Sequence, residues 1–84
     1  MSEKMPVVSG RVLIRFLSSL GYEVTRQRGS HVRLVKVTPA GRHKITIPDH
    51  DPVARGTLSD ILSKVAIWCQ IDKHDLAARL KDFR

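Results

Sequence analysis

The residues best suited to chemistry in this sequence stand together at Gly29-Ser30-His31, with Arg26 and Arg28 before them and Arg33 and Lys36 after. An imidazole gives and takes protons near neutral pH. RNA carries its own nucleophile, the 2′-OH. Its cleavage needs a base for that proton, an acid for the departing 5′-oxygen and positive charge at the phosphate, all of which histidine and arginine supply without a metal. His31 is the first candidate for proton transfer. His50, flanked by Asp49 and Asp51 between Pro48 and Pro52, is the second. Plainer readings stand beside these. His31 also reads as an exposed strand residue with no role, and Asp49-His50-Asp51 as turn and helix-capping residues. His43 and His74 have no motif around them.

The surroundings of the triplet favour a polyanion. From Arg26 to Pro48 the chain carries Arg26, Arg28, Arg33, Lys36, Arg42 and Lys44 and no acidic residue. Five phosphates neutralised on a single strand would give a salt slope of about −3.5, from roughly −0.7 per contact. The alternative is a solvated charged face. Phe16, Tyr22, Trp68 and Phe83 all lie outside this run, so recognition by backbone and shape fits better than stacking of bases. The four histidines and single cysteine lack the short spacings of zinc ligands, and no metal or other cofactor is expected. Cys69, after Trp68 in an apolar stretch, reads as a packing residue. No glycine-rich phosphate loop and no Ser/His/Asp signature is present.

The elements that must hold these residues follow from periodicity. Ser9 is a suitable N-cap for a helix from Gly10 to Leu20, whose Val12, Leu13, Phe16, Leu17 and Leu20 form one apolar face. Gly21 then stops it. The period changes to two. Tyr22, Val24 and Arg26 alternate with Glu23, Thr25 and Gln27 in a first strand. Gly29 marks a bulge or a close approach of the backbone. In a second strand over 30–37, Val32 and Leu34 face one way and His31, Arg33 and Val35 the other. Thr38-Pro39-Ala40-Gly41 is a turn, and in a third strand from His43 Ile45 and Ile47 oppose Lys44 and Thr46. Thr57-Leu58-Ser59-Asp60 reads as a capping box opening a helix with Leu58, Ile61, Leu62, Val65 and Ala66 inward. Asp72 caps a last helix with Leu76, Ala77, Leu80 and Phe83 inward.

The order is α-β-β-β-α plus a C-terminal helix, an α+β arrangement. Short connections imply an antiparallel three-stranded meander with the helices on one face. Val32, Leu34, Ile45 and Ile47 take that face, so His31 and Arg33 lie on the open one. The chain divides into a lead-in (1–8), the α-β-β-β-α unit (9–71) and a helical extension of the same domain (72–84). At 84 residues with a formal net charge of +7, it is one small domain with a polyanionic partner. A lone cysteine and no long apolar run after Met1-Ser2-Glu3-Lys4 predict a cytoplasmic protein with no signal peptide and no membrane span.

At this point the sequence resembles the HicA toxins, the YcfA-like mRNA interferases of bacterial and archaeal toxin–antitoxin pairs. The resemblance covers about residues 8–71. Its carriers are Leu20-Gly21-Tyr22, Gly29-Ser30-His31, Ile47-Pro48-Asp49-His50 and Gly56-Thr57-Leu58-Ser59-Asp60-Ile61-Leu62, in that order. It implies a fold similar to the double-stranded-RNA-binding domain and metal-independent endonucleolytic cleavage of mRNA. The family's catalytic histidine falls on His31. It also implies a HicB-type antitoxin that covers the active site, with oligomers formed mainly through that antitoxin. On this reading Arg28, Arg33 and Lys44 bind the RNA phosphate, Ser30 positions His31 or the phosphate, and His50 is an auxiliary candidate. The extension at 72–83 departs from the family, and so does the N-terminal lead-in. Either is an antitoxin contact, a dimer element or a supplement to the core. Two other functions fit the same surface. One is a non-catalytic RNA-binding module, which does not require the histidine. The other is a protein-interaction module whose basic face docks an acidic partner.

Overall fold

Ser9 opens the first helix, α1 (Gly10–Ser19), by accepting a 3.2 Å hydrogen bond from the Val12 amide. The helix closes on Gly21, whose φ of +102° suits a residue without a side chain. The Gly21 amide donates to Ser18 O and the Tyr22 amide to Leu17 O, each at 3.1 Å, in the paired pattern of a Schellman stop. That stop delivers Tyr22 into the core at the mouth of the first strand.

The computed structural model describes residues 5–83. Beyond α1 they form β1 (Glu23–Arg28), β2 (His31–Thr38), β3 (Gly41–Pro48), α2 (Arg55–Cys69) and α3 (Lys73–Asp82). The strands make one antiparallel sheet in the order β1-β2-β3. This is the α-β-β-β-α order of a double-stranded-RNA-binding domain with one added helix. One face of the sheet supplies Val32, Leu34, Ile45 and Ile47 to the core. Leu13, Phe16 and Leu17 of α1, Leu58, Ile61, Leu62 and Val65 of α2, and Leu76, Ala77 and Leu80 of α3 complete it. The apolar side of the C-terminal helix is therefore buried in the same core. Phe83 packs edge-on against Phe16 at 5.4 Å between ring centroids.

Both hairpins are tight. Gly29-Ser30 is a two-residue turn between the paired residues Arg28 and His31. Gly29 has φ +58° with nothing within 4 Å of where a Cβ would stand. The expected bulge or close approach at Gly29 is thus corrected: glycine is needed at the first turn position for its positive φ, as in a type II′ hairpin. Close approach occurs instead at Gly10, where a Cβ would meet Pro48 O and, at 2.6 Å, Asp49 Cα. The Gly10 amide donates to His50 O at 2.7 Å and so fastens the start of α1 to the end of β3.

The capping box expected at Thr57 is absent. The helix begins at Arg55, Ala54 caps it without a side-chain bond, and Thr57 lies inside the first turn. The reason is upstream. Val53 is buried and its amide donates to Val8 O at 2.9 Å, and the chain leaves that anchor directly into the helical ladder, with Leu58 N bonded to Ala54 O. Of the lead-in expected at 1–8, residues 1–4 lie outside the described residues. Residues 5–8 are irregular, with Met5 and Val8 against the core. Asp72 caps α3 as expected, accepting from the His74 and Asp75 amides.

Candidate functional site

The open face of the sheet is a lattice of cross-strand rungs. The first holds Arg28, His31 and Pro48, and the second holds Arg26, Arg33 and Thr46. The third holds Glu23, Val35 and Lys44, and the fourth Val37 and Arg42. Successive rungs on one face lie two residues apart, about 6.8 Å along the strand. Arg26, Arg28, His31, Arg33 and Thr46 line an open depression of about 340 Å³. All five are exposed, and none of these lining side chains is a carboxylate.

Arg26 reaches this depression through a β-bulge. Strict alternation places it with Tyr22 and Val24, on the helix side. The register instead shifts between Val24 and Arg26: Val24 pairs with Leu34, Arg26 with Arg33, and Thr25 is the extra residue. The Thr25 hydroxyl donates to Arg33 O at 3.4 Å. One inserted residue reverses the side-chain parity that follows. Arg26 and Arg28 thereby join His31 and Arg33 on the open face, and Gln27 turns toward the helices.

The other expected site residues are placed as follows. Lys44 shares the face, two rungs from His31, about 14 Å along the strand. Ser30 is half-buried in the turn, where its carbonyl accepts from the Asp49 amide at 2.6 Å, and it does not line the depression. His50 is exposed in the loop after β3 and does not line it either. Lys36, counted in the basic run, lies on the helix side. Its ammonium donates to Leu20 O at 2.5 Å and to Cys69 Sγ at 3.6 Å. Val35 does face the open side but is buried between Glu23 and Lys44. Arg26 and Thr46 are the lining residues that sequence reasoning did not assign to the site. Thr46 was detectable from its parity with Lys44. The bulge that redirects Arg26 leaves no glycine or proline in the sequence.

A second histidine with a defined environment lies on the other side of the sheet. His43 alternates with Ile45 and Ile47 and is 6% exposed. Its ring stacks on Trp68 at 4.9 Å between centroids and 5° between planes, and its Nδ1 lies 2.6 Å from the Tyr22 hydroxyl. With the phenol protonated, its O–H donates to Nδ1, which leaves the imidazole proton on Nε2. Burial lowers the pKa of His43 below its ordinary 6.5, with a further contribution from the Lys64 ammonium. Burial, with Cys69 beside it, raises that of Tyr22. Cys69 also stands within 3.9 Å of the Tyr22 oxygen. This cluster ties α2 and the sheet together, and burial disfavours the charged form of its histidine.

Among the described residues no group of three or more His, Cys, Asp or Glu is placed to hold a metal ion. No described helix is long and apolar enough to cross a membrane. Compared with known proteins, residues 10–67 match the family model described as "HicA toxin of bacterial toxin-antitoxin". That span is well over half of the 84 residues. No curated protein and no solved structure matches the chain significantly.

Proposed function

This chain belongs to the HicA toxin family of bacterial toxin–antitoxin systems, and we propose that it is a metal-independent endoribonuclease that cuts mRNA at the His31 rung. The observation that carries the reading is one imidazole ringed by Arg26, Arg28 and Arg33 on an open sheet face. Phosphate binding alone has no need of that imidazole. His31 acts as general base or acid at the 2′-OH/phosphate centre. The 2′-oxygen attacks the adjacent phosphorus, the bond to the 5′-oxygen breaks, and the products are a 2′,3′-cyclic phosphate and a 5′-hydroxyl. Arg28, its direct cross-strand neighbour, and Arg33, one rung on, neutralise the charge that develops on the phosphoryl oxygens.

Ser30 supports His31 from the turn, and Lys44 binds RNA further along the face. His50 is an auxiliary residue whose backbone fixes the end of β3 against α1. A HicB-type antitoxin restrains the enzyme in the cytoplasm by covering this face, and oligomers form through the antitoxin.

Expression of wild type and His31→Ala without an antitoxin tests the reading. Wild type arrests growth and fragments mRNA, whereas the folded variant does neither. The purified wild type keeps its activity in EDTA. Salt-dependent RNA binding with unchanged RNA length in both proteins would establish the non-catalytic reading instead.

A further inference from the structure

The His31 rung is the last rung of the sheet at its end. Beyond it stand the turn Gly29-Ser30 and the segment 48–54, which contain no lysine or arginine and two aspartates. In the other direction the face continues for three rungs. Arg33 and Arg26 occupy the second, Lys44 the third and Arg42 the fourth. All four cations are exposed. The Lys64–Asp60 salt bridge lies within α2 and takes up none of these cations. The acidic residue of the face is Glu23, on the β1 side of the third rung, with Lys44 on the β3 side.

We propose that the substrate strand binds to one side of the cleaved phosphate only, running from the His31 rung across Arg33 to Lys44 and Arg42 on β3. This rests on the RNA-cleaving reading above. The spacing of about 6.8 Å between rungs is close to the reach of one extended nucleotide, so consecutive phosphates meet consecutive cations. Glu23 repels the strand from the β1 edge at the third rung and sends it diagonally onto β3. Arg26, beside Arg33 on the second rung, therefore holds the phosphate next to the scissile one. Lys44 and Arg42 are binding residues for the following two. Val37, 74% exposed beside Arg42, offers apolar contact to a base or ribose at the far end.

Two measurements test the path. In the first, short strands are 2′-O-methylated at every position but one, so that a single 2′-OH is cleavable. That position lies near the 5′ end, in the middle or near the 3′ end. The wild-type full chain cuts the middle substrate and one end substrate, and fails on the other. The Lys44→Gln/Arg42→Gln variant cuts both of those substrates more weakly and to the same extent, because both lay the same phosphates on Lys44 and Arg42. Equal cleavage at both ends would overturn the proposal. In the second, the fully 2′-O-methylated strand is titrated at several salt concentrations. The double variant lowers the salt slope by about 1.4, from roughly 0.7 per phosphate contact. An unchanged slope overturns the path even if RNA is cut. Absence of cleavage in every strand contradicts the enzymatic reading, while the slope still decides whether RNA follows these cations.

Discussion

His31 and His43 lie on opposite faces of one three-stranded sheet, and the contrast between them defines this molecule. His31 is exposed among arginines, with space for a ligand before it. His43 is sealed between Trp68 and Tyr22, with its ring nitrogen bonded and its charge disfavoured. Residue type is the same. Strand parity and neighbours decide that one is open to a ligand while the other holds α2 to the sheet.

The most damaging lesion lies where the two faces share a support. Gly10 lies against the backbone of Pro48 and Asp49, at the end of the strand that carries both the His31 partner and His43. Neither backbone can yield cheaply, so Gly10→Ala should cost about 3 kcal/mol. Urea unfolding should show this loss, together with weaker RNA binding. Next in size is His43→Ala. It leaves the Tyr22 O–H without its acceptor and a cavity against Trp68, for about 2 kcal/mol in the same measurement. Cleavage per folded molecule should be retained. His31→Ala should change stability by less than about 0.5 kcal/mol, as surface substitutions usually do.

Acid sharpens the contrast further. The folded-state pKa of His43 lies below the ordinary 6.5, so the unfolded chain binds the proton first as pH falls. The stability that neutral His43 supports is complete above about 6.5 and is lost as pH drops through the interval down to the lowered value. Urea midpoints of wild type and His43→Ala should therefore converge on acidification. The smallest effect is expected for deletion of Thr25. Removing the bulged residue leaves Val24 and Arg26 in strict alternation, with Arg26 and Arg28 still on the open face. RNA affinity should fall by no more than a few-fold. A loss comparable to removing both arginines would mean that the bulge itself shapes the site.

Much of this was legible in the sequence because periodicity is a local property. The apolar stripe of α1 with Ser9 and Gly21 at its ends, and the parity that turns His31 away from Val32 and Leu34, needed no tertiary information. The same parity places His43 with Ile45 and Ile47, so its burial was available, but its partners Tyr22 and Trp68 come from distant elements. The start of α2 was misread because a buried Val53, not a side-chain cap, sets where that helix begins. The direction of Arg26 was hidden because a bulge without glycine has no compositional mark.

In the proposed mechanism the exposed imidazole, and not the buried one, moves the proton in RNA cleavage. Single-turnover cleavage of one defined RNA by wild type, His31→Ala and His43→Ala, each verified as folded, tests it most directly. The rate should fall by a factor on the order of 10²–10⁴ for His31→Ala and stay near wild type for His43→Ala. A His31→Ala protein that cleaves as fast as wild type would contradict it.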